Sequence, residues 1–105
     1  MQWLENLYLS DSVKENEKEL REGLEKGNFS QKLWVISIPI CPKDQLDIRK
    51  ANTLAYHDLW ETIPMIVGMA GTKKEAIELV ERITKDCLRS RGDALLREFL
   101  TGKGT

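Results

Sequence analysis

Two apolar stretches decide the fold, LWVISIPI at residues 33–40 and MIVGMA at residues 65–70. The first is continuous, rich in β-branched residues and without polar alternation, which is typical of a strand that is covered on both faces. Pro39 has no amide hydrogen to donate to a sheet, so it indicates the end or the edge of this strand. The second stretch ends in a Gly71-Thr72 turn. We therefore predict two buried strands at the centre of a small sheet.

The segments around these strands carry helical periodicity. Residues 12–26 are rich in charged residues, and they predict a peripheral helix with a thin apolar stripe. Residues 45–62 predict a second helix. Residues 72–90 predict a third, because Thr72 and Glu75 have the spacing of a capping box. We expect its broad apolar stripe to face the core: Ala76, Ile77, Val80, Ile83, Cys87 and Leu88.

The order of these elements predicts the fold class. Strand 33–40, helix 45–62 and strand 65–70 have the length of a βαβ unit, in which the strands are parallel and the crossover is right-handed. We predict a single α/β domain over residues 1–105, a small layered structure built on this parallel unit with flanking helices. The glycine-rich residues 101–105 are expected to be a disordered tail.

A sheet of two strands is marginal by itself, so something must complete it. Residues 7–9 could add a third short strand, and so could the C-terminal segment. Residues 2–9 also have the spacing of a short helix, which leaves the N-terminus open between the two structures. Pairing of two chains is the other solution, and we predict a homodimer because dimers are the commonest soluble oligomers.

Composition excludes several classes of protein. The chain has 105 residues, with 16 Lys and Arg against 17 Asp and Glu, so it lacks the basic excess of a nucleic-acid binder. The longest apolar stretch is Leu33–Cys41, far short of the roughly 20 residues that span a membrane. The N-terminus has no features of a secretory signal. Two cysteines make no disulfide framework, which favours a reduced, cytoplasmic setting.

One candidate binding site lies in the turn Gly71-Thr72-Lys73-Lys74. A strand there leads into a helix N-terminus, where free amides and the helix dipole favour a small anionic ligand such as a phosphate or a nucleotide. The turn matches neither the P-loop nor the dinucleotide fingerprint. The alternative is a self-satisfied cap, in which the Thr72 hydroxyl is occupied by the backbone amide of Glu75.

The cysteines and the single histidine are the other candidates for chemistry. Cys41 follows a predicted strand and precedes a predicted helix, where a thiolate can be stabilised, so a thiol enzyme is one hypothesis. The alternative is a small buried apolar residue, which is also what we expect of Cys87. His57 has no partner at a useful spacing and is predicted to be solvated. We predict no metal site and no cofactor.

Four segments, WLENLYLS (3–10), VGMAG (67–71), EAIELV (75–80) and REFL (97–100), resemble a pattern found in small uncharacterised bacterial proteins of similar length. The resemblance implies a stand-alone cytoplasmic protein and transfers no catalytic residues. Our leading hypothesis is a non-catalytic α/β protein that acts through self-association or protein–protein interaction. Anion binding at Gly71-Thr72-Lys73 and thiol chemistry at Cys41 remain the alternatives.

Overall fold

The computed structural model describes residues 1–29, 32–40 and 45–102, without the side chain of His57. The elements run in this order along the chain: β1 (Trp3–Leu9), α1 (Glu17–Glu25), β2 (Trp34–Ser37), β3 (Asp47–Lys50), α2 (Leu59–Thr62), β4 (Ile66–Ala70), α3 (Lys73–Arg91) and α4 (Leu96–Thr101). Two 3-10 segments, Lys14–Asn16 and Ala51–Asp58, precede α1 and α2. Helices pack with one mixed sheet, so the predicted α/β class is confirmed.

Strand β4 lies inside the sheet, whose order is β1-β4-β2-β3. It pairs in parallel with β1, where Tyr8 lies opposite Gly68 and Leu9 opposite Met69. All residues of β4 are buried, as its apolar sequence predicts. The strand expected at residues 7–9 is therefore confirmed, in a longer form, and the alternative helix at residues 2–9 is wrong.

The predicted parallel pairing of 33–40 with 65–70 is wrong. Strands β2 and β4 are antiparallel, with Trp34 opposite Ala70 and Ile36 opposite Gly68. The parallel pair of this sheet is β1 with β4. The observed strands, Trp34–Ser37 and Ile66–Ala70, lie within the predicted ranges. Their relative direction depends on the segment that connects them, and this segment is not the crossover helix that a βαβ unit requires.

The predicted helix at 45–62 is wrong at its beginning, and its remainder is a 3-10 segment and a short α-helix instead of one continuous α-helix. Its beginning forms β3, which pairs antiparallel with β2, and a 3-10 segment and the short α2 follow. The buried backbone of β2 needs hydrogen-bond partners on both sides, and β3 supplies the second side. Leu46 and Ile48 alternate with Asp47 and Arg49, so this stretch also had strand periodicity.

Helices cover both faces of the sheet, as the sequence predicted. Helices α3 and α4 cover one face, and α1 covers the other together with α2 and the 3-10 segment before it. The core under α3 and α4 includes Ile36, Ile38, Val67, Leu79 and Ile83. The core on the other face includes Leu24, Leu33, Val35, Leu54, Ile66 and Met69. The sheet is therefore the middle of three layers.

The contact between β1 and β4 has no room for a side chain at Gly68. A Cβ atom there would lie 2.7 Å from the carbonyl oxygen of Tyr8 and 3.4 Å from Cδ1 of Ile36. We expect Gly68→Ala to lower the free energy of unfolding by about 1–3 kcal/mol, because the two strands must move apart. Urea unfolding followed by circular dichroism measures the change.

Gly27→Ala is the matched control for this substitution. Gly27 has a φ of +83° and nothing within 4 Å of an added Cβ, so its cost is backbone strain alone. We expect about 1 kcal/mol there. A Gly68→Ala variant as stable as the parent would show that β1 does not approach β4 this closely.

Candidate functional site

The predicted anion site lies where the parallel strands β1 and β4 end. The carboxyl ends of parallel strands share one edge of a sheet, which brings Ser10 beside Gly71. The amide of Gly71 donates a hydrogen bond to Oγ of Ser10 at 3.3 Å, and Oγ of Ser12 lies 3.1 Å from the same oxygen. The two serines were not among the predicted site residues, because β1 was not expected to supply this neighbour.

The carboxylate of Glu75 occupies the N-terminus of α3. Its Oε1 accepts hydrogen bonds from Ser12 at 3.0 Å and from Thr72 at 3.2 Å. Oε2 accepts from Ser12 at 3.1 Å. The amide of Glu75 donates to Oγ1 of Thr72 at 3.1 Å, which confirms the predicted capping box. A carboxylate of the chain itself therefore lies at the positive end of the helix dipole.

The surroundings of Lys73 and Lys74 also favour a closed helix cap over an anion site. Lys73 and Lys74 are exposed, and neither forms an ion pair within the described part of the chain. The cavity next to the cap has a volume of only about 80 Å³, and its lining includes three acidic residues, Asp11, Glu75 and Glu78, against one basic residue, Arg82. An incoming anion would have to displace Glu75 among these carboxylates, so the turn is better described as a closed cap.

The remaining predicted residues are not brought together into a site. Cys41 lies outside the described residues, and so does the side chain of His57. Cys87 is fully buried and donates a hydrogen bond from Sγ to the carbonyl oxygen of Asp93 at 3.2 Å, and burial raises the pKa of its thiol. Its predicted place in the core is confirmed. Within the described residues no cluster of His, Cys, Asp and Glu could hold a metal ion.

A tyrosine–aspartate pair joins β1 to α3. The hydroxyl of Tyr8 donates a hydrogen bond to Oδ2 of Asp86 at 2.7 Å. Burial raises the pKa of the Tyr8 phenol above its ordinary value, and the hydrogen bond to Asp86 raises it further. The two residues are 78 positions apart, so no local pattern could have indicated this contact. It fixes which side of α3 lies toward β1.

The opposite flank of α3 is apolar and open. Ile77 and Leu88 are 44% and 48% exposed, although the sequence predicted that both face the core. At 100° per residue they lie about 180° and 160° around the helix from Asp86, on the side of β2 and β3. Trp34 and Ile48 of those strands are half-buried on the same face of the sheet. We call this surface the apolar flank, and define it as Trp34, Ile48, Ile77 and Leu88.

A groove on the other face of the sheet runs between Trp3 and helix α1, with a volume of about 600 Å³. The indole nitrogen of Trp3 donates a hydrogen bond to Oε1 of Glu25 at 2.6 Å. The guanidinium of Arg21 lies 4.8 Å from the centre of the indole ring, within cation–π range. These contacts join β1 to α1.

No protein-family model, no curated protein and no solved structure matches this chain. In the part of the chain that the structure describes, no helix combines the length and the apolar character needed to cross a membrane. The geometry of the chain itself is therefore the basis for a functional proposal.

The Thr72 cap stabilises the start of α3. We expect Thr72→Ala to lower the free energy of unfolding by about 1 kcal/mol, because the amide of Glu75 loses its acceptor. Thr72→Ser keeps the hydroxyl and should stay close to the parent. Chemical unfolding of the three proteins measures the difference, and equal stability of the Ala and Ser variants would contradict this role of the hydroxyl.

The Tyr8–Asp86 pair predicts a pH dependence. The folded phenol has a pKa above its ordinary value of about 10, so its contribution to stability is complete below that pH and is lost as the pH rises beyond it. Ultraviolet absorbance of the phenolate should therefore show a tyrosine that ionises late or only as the protein unfolds. Tyr8→Phe should remove this late step. A late step that persists in Tyr8→Phe would assign it to another group.

Proposed function

We propose that this protein acts by association with a second copy of itself, as a small non-catalytic cytoplasmic protein. The observation that carries the proposal is the apolar flank. Exposed single apolar residues are common on soluble proteins, whereas apolar side chains from adjacent elements that form one surface are typical of an interaction site. Here Ile77 and Leu88 are exposed on the side of α3 toward β2 and β3, and Trp34 and Ile48 of these strands are half-buried on the same face of the sheet.

The number of strands no longer argues for a dimer. Four strands with helices on both faces make a sheet that is sufficient for one chain. The argument rests instead on helix coverage, because α3 is the one long helix in the described residues of its face. Four strands span about 14 Å between the outer strand axes, and a helix with its side chains is about 10 Å wide. Helix α3 contacts all four strands and α4 packs beside it, so the apolar surface that stays open is that of Ile77 and Leu88 on α3 itself.

The alternative functions have less support. Binding of a phosphate or nucleotide at Gly71, Thr72 and Lys73 would compete with the Glu75 carboxylate that already accepts hydrogen bonds there. Chemistry at Cys41 has no described geometry to support it. The cytoplasmic setting is supported by the free thiol of Cys87, because secreted proteins commonly pair their cysteines.

Sedimentation equilibrium over a wide concentration range tests the proposal. We expect the mass of a dimer at micromolar concentration, with dissociation on dilution. The variant Ile77→Glu places a charge in the apolar flank and should shift the equilibrium toward monomer. Arg82→Gln changes the charge by the same amount on the Asp86 side of α3, so it is the matched control and should leave the mass unchanged. A parent protein that is monomeric at every concentration would overturn self-association.

A further inference from the structure

We infer that the dimer forms by antiparallel packing of α3 against α3 of the second copy, about a two-fold axis beside the middle of the helix. This inference rests on the proposed self-association and adds the surface, the direction and the register. In a two-fold interface each contact occurs twice, since both copies use the same surface. The helix must therefore be complementary to itself when its direction is reversed.

The apolar positions of α3 meet this requirement. Ile77 and Leu88 lie on the same flank of α3, about three turns apart. In an antiparallel pair, Ile77 of one copy lies against Leu88 of the other, and the same contact repeats at the opposite end. The axis then passes beside the helix between Arg82 and Ile83.

The charged positions require the same axis. Glu81 and Lys85 border the two apolar positions, both are exposed, and neither forms an ion pair within the described residues. Their midpoint along the helix falls at Ile83, within half a residue of the midpoint between Ile77 and Leu88. The antiparallel pair therefore brings Glu81 of each copy toward Lys85 of the other. A parallel pair would bring like charges together, which opposes association.

The rest of α3 restricts the contact to this flank. Asp86 accepts the hydrogen bond from Tyr8, so the β1 side of the helix is already occupied. Leu79 and Ile83 lie in the core. A second helix therefore packs against the exposed side of Ile77 and Leu88.

The edges of the sheet are less suitable for joining two copies. Strand β1 departs from regular pairing between Trp3 and Tyr8, and its middle residues Glu5 and Asn6 are exposed. Strand β3 is four residues long and consists mostly of charged residues. Irregular, short and charged edges are the usual protection against edge-to-edge pairing. The helix flank has no such protection.

A charge-reversal cycle tests the register. We expect Glu81→Lys and Lys85→Glu each to weaken the dimer at least about tenfold, because every substitution places two repulsive pairs in the interface. The double variant restores opposite charges and should recover the dissociation constant to within about threefold of the parent. Sedimentation equilibrium at low salt measures all four proteins, and circular dichroism verifies that each is folded.

Arg82→Glu is the matched control. It creates the same like-charge spacing with Glu78 that Lys85→Glu creates with Glu81, but it lies on the Asp86 side of α3, about 140° around the helix from Ile77. We expect its dimer to match that of the parent. A dimer that survives the single reversals, or one that the double variant fails to restore, overturns the helix pairing and leaves self-association through another surface. A monomeric parent overturns both proposals.

Discussion

The close approach of β1 to β4 at Gly68 is the constraint on which the rest of this structure depends. The carbonyl of Tyr8 lies where a side chain at this position would begin, so the two strands meet backbone to backbone. Strand β4 is buried over its whole length and pairs on both sides, with β1 and with β2. The positions and directions of β1 and β2 are therefore set by their pairing with β4. Both helical layers pack on the sheet that results.

The mixed direction of these pairings decides where polar groups can gather. Because β1 and β4 are parallel, Ser10 and Gly71 emerge at the same edge, and Ser12 reaches the carboxylate of Glu75. The last residue of β2, Ser37, lies instead near Ile66 at the start of β4. The end of β2 and the end of β4 are thus at opposite edges of the sheet. A site shared by these two strand ends, as a parallel unit would have formed, does not exist in this fold.

Helix α3 has two unlike flanks. On the β1 side Asp86 is bound to Tyr8, and the contact is specific and partly buried. On the β3 side Ile77 and Leu88 remain largely open to solvent. The apolar stripe of the sequence is wider than the surface that one chain can cover. Excess apolar width on a long helix is what a second helix would bury.

Residue patterns within a short stretch of sequence were sufficient to predict some of the helices and strands. The capping box at Thr72 and Glu75 placed the start of α3 within a residue, since its hydrogen bonds join positions that are close along the chain. The apolar runs placed β2 and β4, because burial on both faces leaves a continuous signal. The position of Cys87 in the core followed from the same periodicity.

The amino-acid sequence by itself determined the class of this protein, the two central strands, the long helix and its cap, all of which depend on neighbours within a few residues. Only the tertiary structure decided that residues 47–50 are a strand, that β2 runs against β4, and that Ile77 and Leu88 stay exposed. These features depend on which backbone groups find partners across the sheet and on how α3 is rotated on it. Such constraints act between residues far apart in the chain, so local periodicity could not decide them: residues 46–49 have strand alternation within a stretch that also fits a helix.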